Sequence, residues 1–204
     1  MQIKNKGIKY LSETEIVELF SVINRDTSLH SLRNKAIFTL AKYCALRVSE
    51  ISLLKLYDFD LTRETIYCRR LKGSNNNTLK IVEPDLLDLL DRYVHYLKMI
   101  FPDTNTLFPS QTGKPISRYT LNNLIKSYFK ETLIPPEKHH FHVLKHSRAI
   151  ELIETEGVNI YDVQYWLGHK YIQNTLIYLE YTPVAMNKLF NLLKKNNKCQ
   201  EQAK

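Results

Sequence analysis

Four short segments of the chain carry side chains of the kinds that act on phosphate esters. Breaking a phosphodiester without a metal requires a nucleophile, cations for the charge that builds on the phosphoryl oxygens, and a proton donor for the leaving oxygen. Suitable cations, imidazoles and a phenol occur in Ala45-Leu46-Arg47-Val48-Ser49-Glu50, in His142-Val143-Leu144-Lys145, in Leu167-Gly168-His169 and, nine residues later, at Tyr178. By type alone each of these residues also suits a structural role, as a packed histidine, a half-buried tyrosine or a surface arginine.

The overall charge is consistent with a polyanionic partner. The chain has 204 residues and a net charge of +8, which suits one compact domain or a domain with a small appendage. Its basic residues form local clusters along the whole chain, around Arg63 to Lys80, between Lys114 and Arg148, and from Lys188 to Lys204. A nucleic acid passing several faces of the protein would fit this pattern, although many basic proteins bind no nucleic acid.

The glycines and cysteines exclude several classes of protein. None of the five glycines lies close enough to another to form a phosphate-binding loop or a dinucleotide fingerprint, so we expect neither ATP nor NAD as a cofactor. Cys44, Cys68 and Cys199 are odd in number and widely spaced, which suits neither a disulfide framework nor a zinc site. Residues 1–6 lack the apolar stretch of a signal peptide, so we expect none, and Lys42 and Arg47 interrupt the most apolar run. We therefore expect a cytoplasmic protein that does not cross a membrane.

The apolar spacing predicts a mainly helical fold with one small antiparallel β-hairpin or sheet. Ser12 and Glu15 form a capping-box pattern at the start of the first helix. Thr65–Cys68 and Thr78–Val82 predict a hairpin around a polar turn at residues 73–77. After the first helix, the predicted helices span residues 32–44, 48–56, 84–100, 119–130, 141–156, 160–167, 173–179 and 184–195. These elements must bring Arg47, the hairpin and the last third of the chain together.

The order and spacing of the four segments and the hairpin resemble the tyrosine recombinase (phage integrase) family from about Leu11 to Pro183. In that family an arginine in an A/G-L-R-x-S-E segment, a lysine on a β-hairpin, a His-x-x-Arg segment, an L-G-H segment and a tyrosine nucleophile form one active site. The resemblance implies the recombinase catalytic-domain fold and a reaction without metal or ATP, in which the bond energy is kept in a 3′-phosphotyrosyl ester.

By this resemblance each site residue has an expected role. Tyr178 is the nucleophile, and Arg47 holds the non-bridging phosphate oxygens. Lys72 is the general acid for the departing 5′ oxygen, His142 assists proton transfer from the tyrosine, and His169 hydrogen-bonds the phosphate. The alternative for Lys72 is one more solvated charge on a basic hairpin, although the family pattern favours the catalytic role. Glu50 is expected to cap or orient the Arg47 turn.

Lys145 departs from the family pattern, because the His-x-x-Arg segment normally supplies a second phosphate-clamping arginine. A lysine keeps the charge but loses the two-pronged geometry, which weakens the site without abolishing it. Arg148 lies three residues further along the same helix and is our candidate for the missing fork. We also expect Arg69, Arg70, Lys114, Arg118 and Arg148 to contact the DNA backbone.

Two alternatives concern individual residues. Tyr181 follows His169 on the same segment and competes with Tyr178 for the role of nucleophile, although the family interval favours Tyr178. His142 and His146 lie one helical turn apart, but no glutamate follows His142 as a zinc protease helix would require, so we expect no metal. His146 is expected to pack beside the site.

The resemblance also implies an organisation and partners. We expect a catalytic domain over residues 1–185, followed at 186–204 by a C-terminal helix and basic tail that is either exchanged between subunits or folded back. Only about ten residues precede the first predicted helix, so we expect no separate N-terminal core-binding domain and a resemblance to single-domain recombinases such as the fimbrial-switch invertases; a truncated form of a longer integrase is the alternative. The expected partner is double-stranded DNA with a specific site, bound by a homotetramer on two sites that is a monomer or weak oligomer off DNA. The outcome is integration, excision or inversion; a weakened DNA-binding accessory factor and a type IB-like DNA-relaxing activity are the alternatives.

Overall fold

The computed structural model describes residues 7–182, and helices surround one small sheet in this range. The α-helices are α1 (Glu13–Arg25), α2 (Ser31–Tyr43), α3 (Val48–Ile51), α4 (Pro84–Ile100), α5 (Arg118–Phe129), α6 (His142–Glu154), α7 (Ile160–Leu167) and α8 (Gln173–Leu176). The strands are β1 (Phe59–Asp60), β2 (Thr65–Cys68) and β3 (Asn77–Lys80), and short 3₁₀ helices span Leu56–Asp58, Pro136–Lys138 and Ile177–Tyr181. The predicted fold class, mainly α with a small antiparallel sheet, is confirmed.

Local signals in the sequence set the ends of the longer helices. The Ser12 hydroxyl accepts a hydrogen bond from the Glu15 amide at 3.2 Å, and the Glu15 carboxylate accepts one from the Ser12 amide at 2.7 Å. This confirms the capping box at the start of α1. Pro84 occupies the first turn of α4, where its missing N–H has no intrahelical partner to lose. The predicted bounds of α4 and α7 agree with the structure.

Two predicted helices are shorter in the structure. The helix predicted over residues 48–56 ends at Ile51, because the chain turns away to pair with the loop after α4, where the Leu56 amide donates to the Asn105 carbonyl at 3.0 Å. The helix predicted over 173–179 is α8 followed by the 3₁₀ helix Ile177–Tyr181. The helix predicted over 184–195 lies outside the described residues.

The sheet carries a hairpin whose tip reaches the last third of the chain. Its order is β1-β2-β3, all antiparallel, with Ile66 opposite Leu79 and both side chains buried. Beyond the strands, Ser74 at the tip forms a β-bridge with His169, and the Asn75 amide donates to the Gly168 carbonyl at 2.9 Å. The hairpin turn is therefore bound to the turn that follows α7.

Helix α6 lies at the centre of the packing. It contacts α2, α7 and the final 3₁₀ helix, and it buries nine of its thirteen residues. One apolar cluster joins α1, α2, α4 and α5 with Val143 and Leu144 of α6, and a smaller one joins α6, α7 and Tyr178. Since α6 belongs to both, its polar residues are held rigidly between the Arg47 turn and the final segment. Within residues 7–182 no helix is long and apolar enough to cross a membrane.

Candidate active site

Arg47 lies in a tight turn between α2 and α3. The turn requires Ala45 to adopt a left-handed conformation, with φ +52°. The Arg47 amide donates to Glu50 Oε2 at 2.8 Å, and Arg47 Nη1 donates to Glu50 Oε1 at 2.7 Å and to Ser74 Oγ at 3.0 Å. Nε and Nη2 of Arg47 make no hydrogen bond to any group in residues 7–182, and 27% of the side chain is exposed. One edge of the guanidinium is thus available to an anion.

Glu50 is the anion beside the Arg47 turn, and it is completely buried. Besides the two Arg47 groups, its carboxylate accepts from Arg70 Nη1 at 3.3 Å and from the Leu71 amide at 3.2 Å. Burial alone would raise the pKa of this carboxyl group, but the charge of Arg70 and the Arg47 amide outweigh burial and lower it. Glu50 therefore stays ionised and orients the turn, as the sequence predicted.

Tyr178 is buried, with 2% of its surface exposed, and its hydroxyl lies 2.9 Å from Nδ1 of His146. Burial raises the pKa of Tyr178 to about 12, although the nearby charge of Arg47 lowers it in part. Burial and the positive field of His142, His140 and Lys145 lower the pKa of His146 to about 4. His146 is thus neutral at neutral pH, and its Nδ1 can accept the hydrogen of the phenol.

Sequence reasoning missed the direct contact between His146 and Tyr178. The available signal was its position one helical turn after His142, which places both imidazoles on one face of α6 with ring centroids 6.0 Å apart. His142 is exposed by surface area, but the protein around its ring partly desolvates it, and this effect together with His140 and Arg47 lowers its pKa.

His169 is held in the turn that follows α7. Gly168 adopts φ +65° and ends the helix, and the Nδ1 atom of His169 lies 3.0 Å from Oγ1 of Thr175. Burial and the charges of Lys145, Arg47 and Arg70 lower the pKa of His169 to about 3. The ring is neutral, and the charges that act on it come from the same cations that surround Glu50.

Lys145 lies in the middle of this group and is 3% exposed. Its ammonium donates to the Ala45 carbonyl at 3.2 Å and to the Leu167 carbonyl at 3.0 Å. Burial, Arg70 and Arg47 together lower the pKa of Lys145 to about 7. Lys145 therefore joins the Arg47 turn to the end of α7.

Lys72 is exposed at the hairpin turn, two residues before Ser74. The structure brings the hairpin tip to the site through the Arg47–Ser74 hydrogen bond and the Ser74–His169 bridge. The Lys72 ammonium makes no hydrogen bond or ion pair within the described range. These contacts therefore fix the hairpin tip but not the Lys72 side chain.

The structure corrects the expected DNA contact of Arg70, and the contact of Arg69 stays a prediction. Arg70 has a side chain that is 0% exposed, so it cannot contact DNA in this structure. Arg69 remains 32% exposed, but its fork is occupied by Asp58, at 2.7 Å from Nε and 2.8 Å from Nη2. The sequence could not separate the two, because neighbouring residues at the end of a strand point to opposite sides.

Arg148 is also placed differently from the prediction. Its guanidinium carbon lies 4.9 Å from the ring centroids of both Tyr43 and Trp166, and Nη1 pairs with Glu151 at 3.1 Å. Arg148 is 8% exposed, and because its guanidinium lies against the two rings and pairs with Glu151, it is not placed for the expected DNA contact. It belongs to the packing of α6 and does not supply the fork that Lys145 lacks. Lys114 and Arg118, by contrast, are exposed near the start of α5.

His139, which precedes α6, has a structural role. His139 stacks on Phe129, with centroids 4.7 Å apart, and its Nε2 lies 2.7 Å from the Ile134 carbonyl oxygen. Within residues 7–182, no three His, Cys, Asp or Glu side chains come together as a metal site would need.

Comparison with known proteins identifies the family of the chain. A profile of the phage integrase family matches residues 9–183. The tyrosine recombinase XerA of Pyrococcus furiosus is 30% identical over 177 residues, and XerD of Proteus mirabilis is 33% identical over 184 residues. These alignments cover 85% and 89% of this chain but only 58% and 56% of the relatives. The chain thus spans little more than half the length of these relatives.

The fold is also found in solved recombinase structures. A crystal structure of XerA recombinase superimposes with a TM-score of 0.76 at 27% identity, over 91% of this chain and 65% of that one. The catalytic domain of bacteriophage HP1 integrase, at 20% identity, shares the fold with a TM-score of 0.60, over 90% of this chain and 94% of that domain. The profile match and the relatives place this chain in the phage integrase family, with the fold of a tyrosine recombinase catalytic domain.

Proposed function

We propose that this chain is the catalytic part of a site-specific tyrosine recombinase, which cleaves and rejoins DNA through a 3′-phosphotyrosyl intermediate. The observation that carries the proposal is the Tyr178–His146 hydrogen bond, beside a cluster of buried cations. A phenol with a proton acceptor at 2.9 Å and cations nearby provides the nucleophile and charge stabilisation that metal-free strand cleavage requires.

In the proposed reaction Tyr178 Oη attacks the scissile phosphorus. A bond forms between Oη and phosphorus, the bond to the 5′ oxygen breaks, and the phenol proton passes to Nδ1 of His146. Arg47 binds the non-bridging oxygens through its free guanidinium edge, and Lys145 adds charge from behind. Lys72 gives a proton to the 5′ oxygen from the hairpin. The reverse attack by a new 5′ hydroxyl rejoins the strand with no external energy source.

The nucleophile is closed off in the structure described. Since only 2% of Tyr178 is exposed, its hydroxyl reaches a phosphate only after the segment from α8 to the final 3₁₀ helix shifts. Tyr181 is held in a different way, because its hydroxyl accepts from the Ile8 amide at 3.0 Å. We therefore assign the reaction to Tyr178.

Trapping of the covalent intermediate tests this function. The probes are nicked suicide duplexes tiled across the DNA that flanks the coding sequence. After cleavage, the short fragment on the 3′ side of the cut, which carries the new 5′ hydroxyl, diffuses away. We expect a protein–DNA adduct that resists detergent, disappears in Tyr178→Phe and persists in the matched variant Tyr181→Phe. Failure of the wild-type protein to form an adduct on any duplex, or an adduct that survives Tyr178→Phe, contradicts the proposal.

A second candidate is a DNA-binding accessory factor with weakened catalysis. Lys145 favours it, because a single ammonium that is tied to two main-chain carbonyls replaces a two-pronged group. Specific DNA retention without an adduct would support this candidate. Relaxation of supercoiled plasmid without strand exchange would instead indicate a type IB-like activity.

The partner and the assembly are further parts of the proposal. Duplex DNA is supported by the exposed Lys114 and Arg118 and by the likeness to XerH, whose structure is of a complex with its difH substrate. We infer a homotetramer on two DNA sites from the family resemblance alone. Sizing of the protein with and without its cleaved duplex distinguishes this assembly from a monomer.

A further inference from the structure

Arg70 is the most fully bonded side chain near the candidate site. A guanidinium has five N–H groups. Arg70 uses them in five hydrogen bonds: from Nε to Asn77 Oδ1, from Nη1 to the Ala45 carbonyl and Glu50, and from Nη2 to the carbonyls of Cys44 and Trp166, at 2.9 to 3.3 Å. With every donor occupied and 0% of the side chain exposed, Arg70 has no hydrogen left for DNA.

The acceptors of Arg70 belong to the turns that carry the reactive groups. The carbonyls of Cys44 and Ala45 lie three and two residues before Arg47, and Glu50 holds the Arg47 guanidinium. The Trp166 carbonyl lies at the end of α7, three residues before His169. Arg70 thus connects the Arg47 turn and the His169 turn from inside the protein.

Lys145 joins the same two segments beside Arg70. It shares the Ala45 carbonyl with Arg70 and donates to the Leu167 carbonyl, next to the Trp166 carbonyl that Arg70 uses. The left-handed backbone of Ala45 is a strained conformation for a residue with a Cβ, and two cations on its carbonyl help to hold it. An ammonium has three N–H groups, so these two bonds leave one for a ligand.

The charges around the turn leave room for one anion. Arg47 and Arg70 both pair with Glu50, while Lys145 has no ion pair within residues 7–182. With Lys145 protonated, three cations face one described carboxylate, and burial together with this excess of positive charge lowers the pKa of Lys145 to about 7. Buried charge of one sign is costly unless it is balanced, and a phosphodiester placed between the free edge of Arg47 and the free N–H of Lys145 would offset one of the two excess charges.

We propose that Arg70 is a positioning residue for strand cleavage and that it works as a pair with Lys145. Arg70 supplies the planar fork that fixes the Arg47 and His169 turns, and this leaves Lys145 to act as a point charge on the phosphate. The inference rests on the proposed recombinase function. It explains how a lysine can stand where the family has an arginine, because the guanidinium that braces the site comes from the hairpin.

The first test separates positioning from DNA contact. Arg70→Lys keeps the charge but loses the fork, so the single-turnover rate of adduct formation at saturating protein should fall by about tenfold or more. The Kd for the same nicked duplex should change by less than about twofold, because a side chain with no exposed surface makes no phosphate contact. Arg33→Lys is the matched control, since Arg33 is a half-buried arginine that bonds the Pro109 carbonyl away from these turns.

The second test is a rescue. In Lys145→Arg alone, Arg70 already occupies the shared carbonyls, so no gain in rate is expected. In the double variant Arg70→Lys, Lys145→Arg, the new fork can reach the same carbonyls and should recover at least about fivefold of the lost rate, a coupling that a double-mutant cycle measures. Three results would each overturn the pairing. They are strictly additive effects of the two substitutions on the rate, a wild-type rate in Arg70→Lys, and a Kd of Arg70→Lys for DNA that is at least about tenfold weaker with a smaller salt dependence.

A third readout does not depend on cleavage. Hydrogen exchange of the Asn75 and His169 amides, which bond the Gly168 and Gln164 carbonyls, should accelerate in Arg70→Lys, return in the double variant and stay slow in Arg33→Lys. Unchanged exchange in Arg70→Lys refutes the bracing role. If the wild-type protein forms no adduct, the proposed function fails while this measurement still decides the role of Arg70.

Discussion

Replacing Gly168 by alanine should damage both the stability of the fold and the site. Gly168 has φ +65°, and a Cβ atom there would lie 2.7 Å from the Asn75 carbonyl oxygen and 2.8 Å from Nε of Arg70. Neither neighbour can move easily, because Asn75 is bound by its own amide to Gly168 and Arg70 by five hydrogen bonds. The hairpin tip must therefore separate from the His169 turn.

The size of the effect follows from two contributions. A left-handed alanine costs about 1 kcal/mol, and loss of the Asn75–Gly168 hydrogen bond with displacement of Arg70 adds about 2 kcal/mol. Gly157→Ala isolates the first contribution, since Gly157 has φ +82° but nothing within 4 Å of the added Cβ. We expect urea unfolding to give a loss of about 3 kcal/mol for Gly168→Ala and about 1 kcal/mol for Gly157→Ala.

Adduct formation on the nicked duplex should show the same contrast. Gly168→Ala should slow cleavage by about tenfold or more, because His169 and the hairpin move apart, whereas Gly157→Ala should cleave at the wild-type rate. Equal losses of stability in the two variants, or wild-type cleavage by folded Gly168→Ala, would show that the close packing of Arg70 against this turn is not what positions the site.

Three further predictions concern protons and charge. From pH 7 to pH 5 the free energy of unfolding should fall by about 3–4 kcal/mol, because the unfolded chain protonates its histidines near pH 6.5 while folded His146 and His169 have pKa values of about 4 and about 3. In urea titrations at several pH values, His146→Gln should remove about half of this fall. A free energy of unfolding that does not change with pH contradicts the burial of the two rings. Lys72→Ala should slow cleavage by about a hundredfold or more. A duplex with sulfur in place of the 5′ bridging oxygen should recover the rate, because the sulfur leaves without a proton. No recovery on this duplex argues against Lys72 as the general acid. Arg118→Ala should weaken DNA binding and reduce the slope of log K against log salt by about 0.9, in binding titrations at several salt concentrations, and an unchanged slope places Arg118 off the DNA.

Periodicity and capping predicted most of the fold. The α4 helix begins at Pro84 and buries Leu86, Leu90 and Leu97 along one face, so its sequence contains both its start and its packing. The short α3 was predicted too long, because its end depends on a pairing between Leu56 and Asn105, which are far apart in the sequence. Local patterns carry no information on such contacts.

Motif spacing predicted which residues meet in the candidate site. It did not predict the contacts that depend on how side chains pack in the folded protein. Motif spacing selected Arg47 and Tyr178, and the structure places both in one electrostatic environment. Arg69 and Arg70 look alike in sequence, yet one pairs with Asp58 near the surface and the other is fully enclosed. His146 was assigned to packing because the sequence could not show that the Tyr178 hydroxyl points at it.

The burial of Tyr178 bears on how selectively such a protein would act on a genome. A nucleophile with only 2% of its surface exposed reacts only after the segment that covers it shifts, so this opening step adds to the barrier at every DNA sequence. Only a site whose binding free energy offsets the opening would be cut at a useful rate. Discrimination between target and random DNA would then arise in the rate of cutting as well as in affinity, and weak contacts with abundant random sequence would leave the chromosome intact.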